Sequence, residues 1–319
     1  MQTIITIPEP VRRKAVAAGP IGERWLTTLA SQVASLAKAW GLSIGRTLTG
    51  GTEAFVAEAT TADGRAAVLK LLPPWLAADT SEFQVLLAAR GQGYAEVYAS
   101  DVAAGAVLLE RLGSPLATLG LSVDAQIAII CETLVAAWAA PPAGVRLMNG
   151  AEKAQSLSEF IVATWHALGK PCAAQVVDTA LHYAEERRQH FNSRAAVLAH
   201  GDAHAWNTLL VPHSTPRRFK FIDPDGLFIE PAYDLAIPMR EWSSELLMGD
   251  SLALGRQRCR QLAALTGVAP APIWQWGFIE RVSTGLLCLQ VGLPEGREML
   301  TVAQRWVEAI MLEERTLWS

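Results

Sequence analysis

Strand character is concentrated in the first 110 residues of this chain and helical character in the rest, and that segregation limits the possible folds more than any single motif. Residues 42–48, 54–59 and 65–72 form three short strand-like segments. They are separated by T-G-G-T and by Asp63-Gly64, a dipeptide suited to tight hairpin turns. They read as a three-stranded antiparallel meander. A helix is expected from Thr80 or Ser81, whose hydroxyls can accept from first-turn amides, with Phe83, Leu86 and Leu87 on its apolar face. Two more strands fall around residues 96–100 and 106–110, and the second runs into L-E-R-L-G, which reads as a hinge. Ahead of the sheet, Trp25, Leu29, Val33, Leu36 and Trp40 recur at steps of three and four, one apolar stripe on a helix that Gly41 ends.

Beyond the hinge, residues 122–140, 157–168, 173–190, 251–265, 273–291 and 298–314 read as helices. Strand signal returns only near 197–199, 208–211 and 219–222. The expected class is therefore α+β and bilobal. A small antiparallel β lobe with leading helices spans residues 1–110, and a larger, mainly helical lobe spans residues 111–319, with a cleft between them.

Bulk properties remove several alternatives. A chain of 319 residues with a 51% hydrophobic fraction has ample material for a buried core, but only 18% of it is charged, which raises the question of a membrane. The richest apolar stretch, residues 125–143, is broken by Gln126, Glu132 and Pro141-Pro142, so no uninterrupted span of about 20 apolar residues is expected. The N-terminus lacks a basic segment followed by a long apolar one, so no signal peptide is read and a cytoplasmic location is expected. Cysteines 131, 172, 259 and 288 form no C-x-x-C pair, against a zinc or redox motif. A net charge of -4 gives no basic footprint for nucleic acid and leans toward a cationic small substrate. No obligate protein partner is inferred.

The chemistry sits in two polar strings. His200-Gly201-Asp202-Ala203-His204-Ala205-Trp206-Asn207 lies between apolar segments, and Ile222-Asp223-Pro224-Asp225 again ends an apolar run. Phosphoryl transfer needs a carboxylate to orient a hydroxyl and take its proton, and oxygen ligands to hold magnesium against phosphates. Asp202 can be the base, Asn207 and Asp223 the metal ligands, and Asp225 a further carboxylate at the metal or substrate. Lys70, in the strand A-A-V-L-K-L-L, and Glu82, on the following helix, can form a pair that holds an ammonium toward phosphates. The turn holding Gly50 and Gly51 can close over the same phosphates, because glycine lets backbone amides approach an anion. Read on their own, His200 braces the loop and Asp234 is a cap or brace. Glu241 and Glu245, four apart in R-E-W-S-S-E-L-L, would share one helical face that can meet a guanidinium or ammonium, with Glu280 a further candidate.

V-L-K-L, a glutamate on the next helix, L-L-E-R-L, H-G-D-A-H-A-W-N and I-D-P-D-G-L-x-x-E-P-A-Y-D-L-A together resemble the aminoglycoside phosphotransferase branch of the kinase fold. More narrowly, I-P-E-P-V, G-E-R-W-L and I-D-P-x-x-L-x-x-E-P-A-Y-D resemble the aminoglycoside/hydroxyurea antibiotic resistance kinases, which include streptomycin 6-phosphotransferases. The resemblance implies a protein-kinase-like fold, ATP (or GTP) and Mg2+. It also implies Asp202 as catalytic base, Asn207 and Asp223 as metal ligands, Lys70 and Glu82 as the phosphate-side pair, and Glu110 to Leu112 as the adenine-binding hinge. Only seven residues separate Asp223 from Pro231, too few for a peptide-docking activation segment, which points to a small-molecule acceptor. An aminoglycoside of streptomycin type is the expected acceptor, with hydroxyurea or another small alcohol second and a non-catalytic nucleotide-binding module third.

Overall fold

The computed structural model describes residues 5–49, 51, 53–76, 81–142 and 146–316. Helices α1 (Glu9–Ala17) and α2 (Pro20–Trp40) lead into strands β1 (Ser43–Thr47), β2 (Phe55–Thr60) and β3 (Ala66–Leu71). Helix α3 (Ser81–Ala89) follows, then β4 (Val97–Asp101) and β5 (Ala106–Glu110). The five strands form one sheet in the order β1-β2-β3-β5-β4, every neighbouring pair antiparallel. The expected meander is the first half of it.

The two-residue pleat sorts the sheet's side chains. Ala57, Leu69, Leu71, Ala106 and Leu108 face one side, where Val11 and Ala15 of α1 and Trp25, Leu29 and Val33 of α2 cover them. Val107 and Leu109 face the other side and pack with Phe83, Val85 and Leu86 of α3. Lys70 lies out of phase with Leu69 and Leu71, so it shares the α3 side. Helix α1, which the apolar periodicity does not announce, crosses α2 so closely that a Cβ on Gly22 would sit 1.8 Å from the Ala15 carbonyl oxygen. Gly22→Ala is therefore expected to destabilise the protein by about 1–3 kcal/mol, as overpacking does, read as a lower thermal midpoint.

Past the hinge come α4 (Val123–Trp138), β6 (Met148–Asn149), α5 (Gly150–Ala167) and α6 (Ala174–Gln189). Four short strands follow: β7 (Val197–Ala199), β8 (Thr208–Leu210), β9 (Phe219–Phe221) and β10 (Leu227–Ile229). The chain ends in α7 (Ala232–Arg240), α8 (Ser243–Leu247), α9 (Ser251–Thr266), α10 (Pro270–Gln290) and α11 (Glu295–Thr316). Trp276, Phe278, Ile279, Val282 and Leu286 of α10 are buried in the centre of this lobe. Helix α5 starts at Gly150, ahead of the expected residue 157, because Asn149 and Glu152 form a reciprocal capping box on polar residues that an apolar-stripe reading does not register. Among the described residues no helix is long and apolar enough to cross a membrane.

Candidate active site

Two short ladders bring the polar strings together. β7 pairs with β10 so that Ala199 faces Leu227, and β8 pairs with β9 so that Thr208 faces Phe221. The loop after β7 and the loop after β9 therefore leave the ladders side by side. They are tied by Asp225 N to His200 O (2.8 Å) and Ile222 N to Asn207 O (3.0 Å). The stretch between Asp223 and Pro231, read from sequence as connection alone, contains β10.

His200 and Asp234 hold the loop. His200 is fully buried; its Nδ1 accepts from the Asp202 amide (3.1 Å) and its Nε2 meets the Ile222 carbonyl (2.9 Å), which sets the tautomer with the proton on Nε2. Burial pulls this imidazole below its usual range. Asp234, on α7 and fully buried, accepts from His200 N (3.0 Å), Gly201 N (2.7 Å) and Trp138 Nε1 (2.8 Å). Gly201 has φ +89, and a Cβ there would lie 2.7 Å from Cβ of Asp225, so both backbone and space demand glycine.

Asp202 stands at the end of this braced turn with both oxygens engaged. Oδ1 accepts from Arg240 Nη2 at 2.6 Å, and Oδ2 lies 3.2 Å from His204 Nε2. The His204 Nδ1 accepts from the amides of Trp206 and Asn207, both at 3.2 Å, so Nε2 carries the hydrogen. Burial alone would push the Asp202 carboxyl up; the His204 hydrogen bond and the Arg240 charge outweigh it and hold the group well below the usual carboxylate range. Asn207 Nδ2 donates to the Asp202 carbonyl (3.1 Å), which turns Oδ1 of Asn207 away from that contact. Asp223, in the left-handed region at φ 54, places Oδ1 2.8 Å from Lys70 Nζ while its side chain stays half exposed.

Lys70 also meets both oxygens of Glu82, at 2.6 and 2.8 Å. Burial would lower this ammonium, but the charges of Glu82 and Asp223 outweigh it and raise its pKa, so Lys70 is a fixed cation. The loop carrying Asp223 also abuts α3 directly, since a Cβ on Gly226 would lie 2.8–2.9 Å from Ser81 atoms. Gly51 precedes β2 near Ala54 and Val56, and Gly50 lies outside the described residues. An amide and a carboxylate presented as oxygen donors suit a hard cation that takes its other ligands from water and phosphate. Among the described residues no cluster of three or more His, Cys, Asp or Glu is arranged for a metal.

At the hinge the Glu110 carboxylate accepts from the Glu96 amide (2.9 Å) and the Lys220 ammonium, and the Glu110 amide donates to Glu96 O (2.8 Å). Glu110 thus ties β5 to the β8–β9 hairpin. Gly113 N donates to Leu210 O (2.7 Å), while the amide and carbonyl of Leu112 have no hydrogen-bond partner among the described residues. Both backbone groups of Leu112 are thus left available at the hinge.

The expected acceptor carboxylates need correction. Glu241 and Glu245 do not share a helical face: α7 ends at Arg240, Glu241 is extended (ψ 170), and Trp242 takes φ 52 before α8 begins. The four-residue spacing does not register this break because the break rests on tertiary contacts. Glu241 lies 3.5 Å from Arg240 and Glu245 lies 3.6 Å from Arg258. A cavity of about 280 Å³ opens instead beside Asp202, lined by Lys153, Asp225, Tyr233, Arg240, Glu280 and Thr284 among others. Asp225, enclosed by the cavity wall though its side chain meets solvent, is pushed up to about 6 by desolvation and by the Asp202 charge. Lys153 and Arg240 carried no recognisable spacing signal in the sequence.

A small antiparallel lobe with a Lys-Glu pair, joined to a helical lobe that presents Asp202, Asn207 and Asp223 from adjacent loops, is the arrangement of a kinase-like phosphotransferase. A sequence model of the aminoglycoside/hydroxyurea antibiotic resistance kinases matches residues 40–292, and the chain belongs to that family. It is 25% identical over 279 residues to streptomycin 6-kinase of Streptomyces glaucescens, covering 86% of this chain and 88% of that one. Aminoglycoside phosphotransferase APH(3'')-Id of Streptomyces rimosus, solved with ADP and streptomycin, superposes with a TM-score of 0.53 at 18% identity, over 80% of this chain and 98% of that one. The GDP and kanamycin complex of APH(2")-IIia gives a TM-score of 0.57 at 17% identity, over 86% and 98%. The protein is a small-molecule kinase with an alcohol group as acceptor, and its fold is the bilobal protein-kinase-like one.

Proposed function

We propose that this protein uses ATP and Mg2+ to phosphorylate a hydroxyl of a small cationic molecule, first among them an aminoglycoside of streptomycin type. The observation that carries the reading is Asp202 at the wall of a cavity that also holds the carboxylates of Asp225 and Glu280. The likeness to streptomycin 6-kinase over 86% of the chain supports the choice of acceptor. The domain division belongs to the same proposal: residues 1–110 hold the nucleotide and residues 111–319 hold the base and acceptor.

Asp202 orients the acceptor hydroxyl and receives its proton as the oxygen attacks the γ-phosphorus. The bond from that phosphorus to the β,γ-bridging oxygen breaks, and ADP leaves. Lys70, held by Glu82, meets the phosphates, and Leu112 meets the base through its backbone. Asn207 and Asp223 would hold Mg2+, which supplies charge neutralisation on the phosphate oxygens when bound.

Incubation with Mg-ATP and separate streptomycin, other aminoglycosides and hydroxyurea, followed by mass spectrometry, is expected to give a product one phosphoryl group heavier with streptomycin. Excess EDTA should abolish it. No product from any aminoglycoside would sink the acceptor assignment. A second reading, hydroxyurea or another small alcohol as acceptor, rests on the family, which is described by hydroxyurea as well as by aminoglycosides.

A further inference from the structure

Arg240 is the one cation that touches the carboxylate of Asp202 among the described ion pairs of non-histidine side chains, and its guanidinium is fixed from several directions. Nη1 meets Glu280 Oε2 at 2.9 Å and Thr284 Oγ1 at 3.2 Å, and the other Glu280 oxygen accepts from the Tyr233 hydroxyl at 2.5 Å. A planar fork with such partners cannot rotate without losing all of them.

The backbone on either side of Arg240 is pinned as well. Arg281 Nη2 donates to the Met239 carbonyl (2.5 Å) and Nη1 to Ser243 Oγ (2.8 Å), while Arg258 Nη1 donates to the Glu241 carbonyl (2.7 Å). Arg281 is fully buried, lies over the Trp306 ring at 4.9 Å, and forms no ion pair with a carboxylate among the described residues. Burial pulls it down to about 9. A buried cation without a carboxylate is costly, and here it sits on the C-terminal carbonyls of α7, the negative end of that helix. The arrangement makes sense if the helix end must not move.

We infer that Arg240 is a positioning residue for the phosphoryl transfer: it sets the angle and depth at which Asp202 meets the acceptor hydroxyl, and Arg258 and Arg281 hold Arg240 in place by clamping the carbonyls of Met239 and Glu241. The inference rests on the reading of Asp202 as base. Because the cavity is lined by Asp202 and Arg240 and not by His204, the acceptor arrives on the Oδ1 side, the side Arg240 controls.

The test compares wild type, Arg240→Ala, Arg240→Lys, Arg281→Met and Asp202→Asn, with Mg-ATP and streptomycin, and with water as acceptor. In Arg240→Ala, kcat is expected to fall about 100-fold, the scale of a small misplacement at a reacting group, with KM for ATP and the ADP-binding stoichiometry unchanged. Arg240→Lys keeps the charge without the fork and should recover part of the loss; Arg281→Met should lower kcat by less than Arg240→Ala. Millimolar guanidinium should restore activity to Arg240→Ala but not to Asp202→Asn. If Arg240→Ala does not fold, Arg240→Lys decides by the same split between kcat and KM. Wild-type kcat in the Arg240 variants overturns the inference, as does a loss that tracks lost ADP sites and ignores guanidinium. Wild-type kcat in Asp202→Asn overturns the base reading, and no turnover of wild type on streptomycin, other aminoglycosides or hydroxyurea overturns the proposed function; either takes this inference with it.

Discussion

Asp202→Asn is expected to lower kcat by about 10²–10⁴-fold while leaving ADP binding intact, because general-base help is worth that much and the amide cannot take the hydroxyl proton. The substitution is nearly isosteric, and the loop around it is held by His200 and Asp234 through backbone groups, not through the Asp202 side chain. The loss should therefore be far larger in turnover than in the unfolding midpoint, which falls only by what the carboxylate's contacts with Arg240 and His204 contribute. Steady-state kinetics beside a nucleotide titration separate the two. Equal rates would remove Asp202 from its role.

Asp234→Ala should do the opposite and strike stability first. It strands three donors, two of them buried backbone amides, and each unmade bond of that kind costs about 1–3 kcal/mol. The expected total is about 3–5 kcal/mol, since partial relaxation and water entry recover some of the sum. Urea unfolding should show an earlier midpoint, and turnover should drop because Gly201 and Asp202 lose their anchor. A midpoint equal to wild type would mean that the three contacts do not brace the loop. Asp234→Asn, which keeps one acceptor oxygen, should fall between.

Much of the architecture was legible before any coordinates. β2 and β3 follow their apolar alternation, α2 follows its stripe from Trp25 to Trp40, and α4, α6, α9, α10 and α11 lie close to where the periodicity places them. The elements that were not legible share a cause. Helix α1 has little apolar pattern, α5 begins on a polar capping box, and β10 is three residues long, so each draws its stability from neighbours and not from local pattern. At the site, Lys70 with Glu82 and the two polar strings could be read from spacing, because β3, α3 and the two loops carry them in a set order.

The wall of the cavity beside Asp202 could not be read that way. Glu241 and Glu245 have helical spacing, but Arg281 and Arg258 capture the carbonyls of Met239 and Glu241 where α7 ends, and Trp242 turns the chain in the left-handed region. Lys153, Arg240 and Glu280 come from three helices far apart in sequence, and no periodicity relates them. The sequence by itself determined the class of fold and the order of the reactive groups, because short strands, stripes and polar loops are written in neighbouring residues. Only the tertiary structure decided which charges line the cavity beside Asp202 and which cation holds that carboxylate, because those contacts join residues 38 or more positions apart and depend on how whole helices pack.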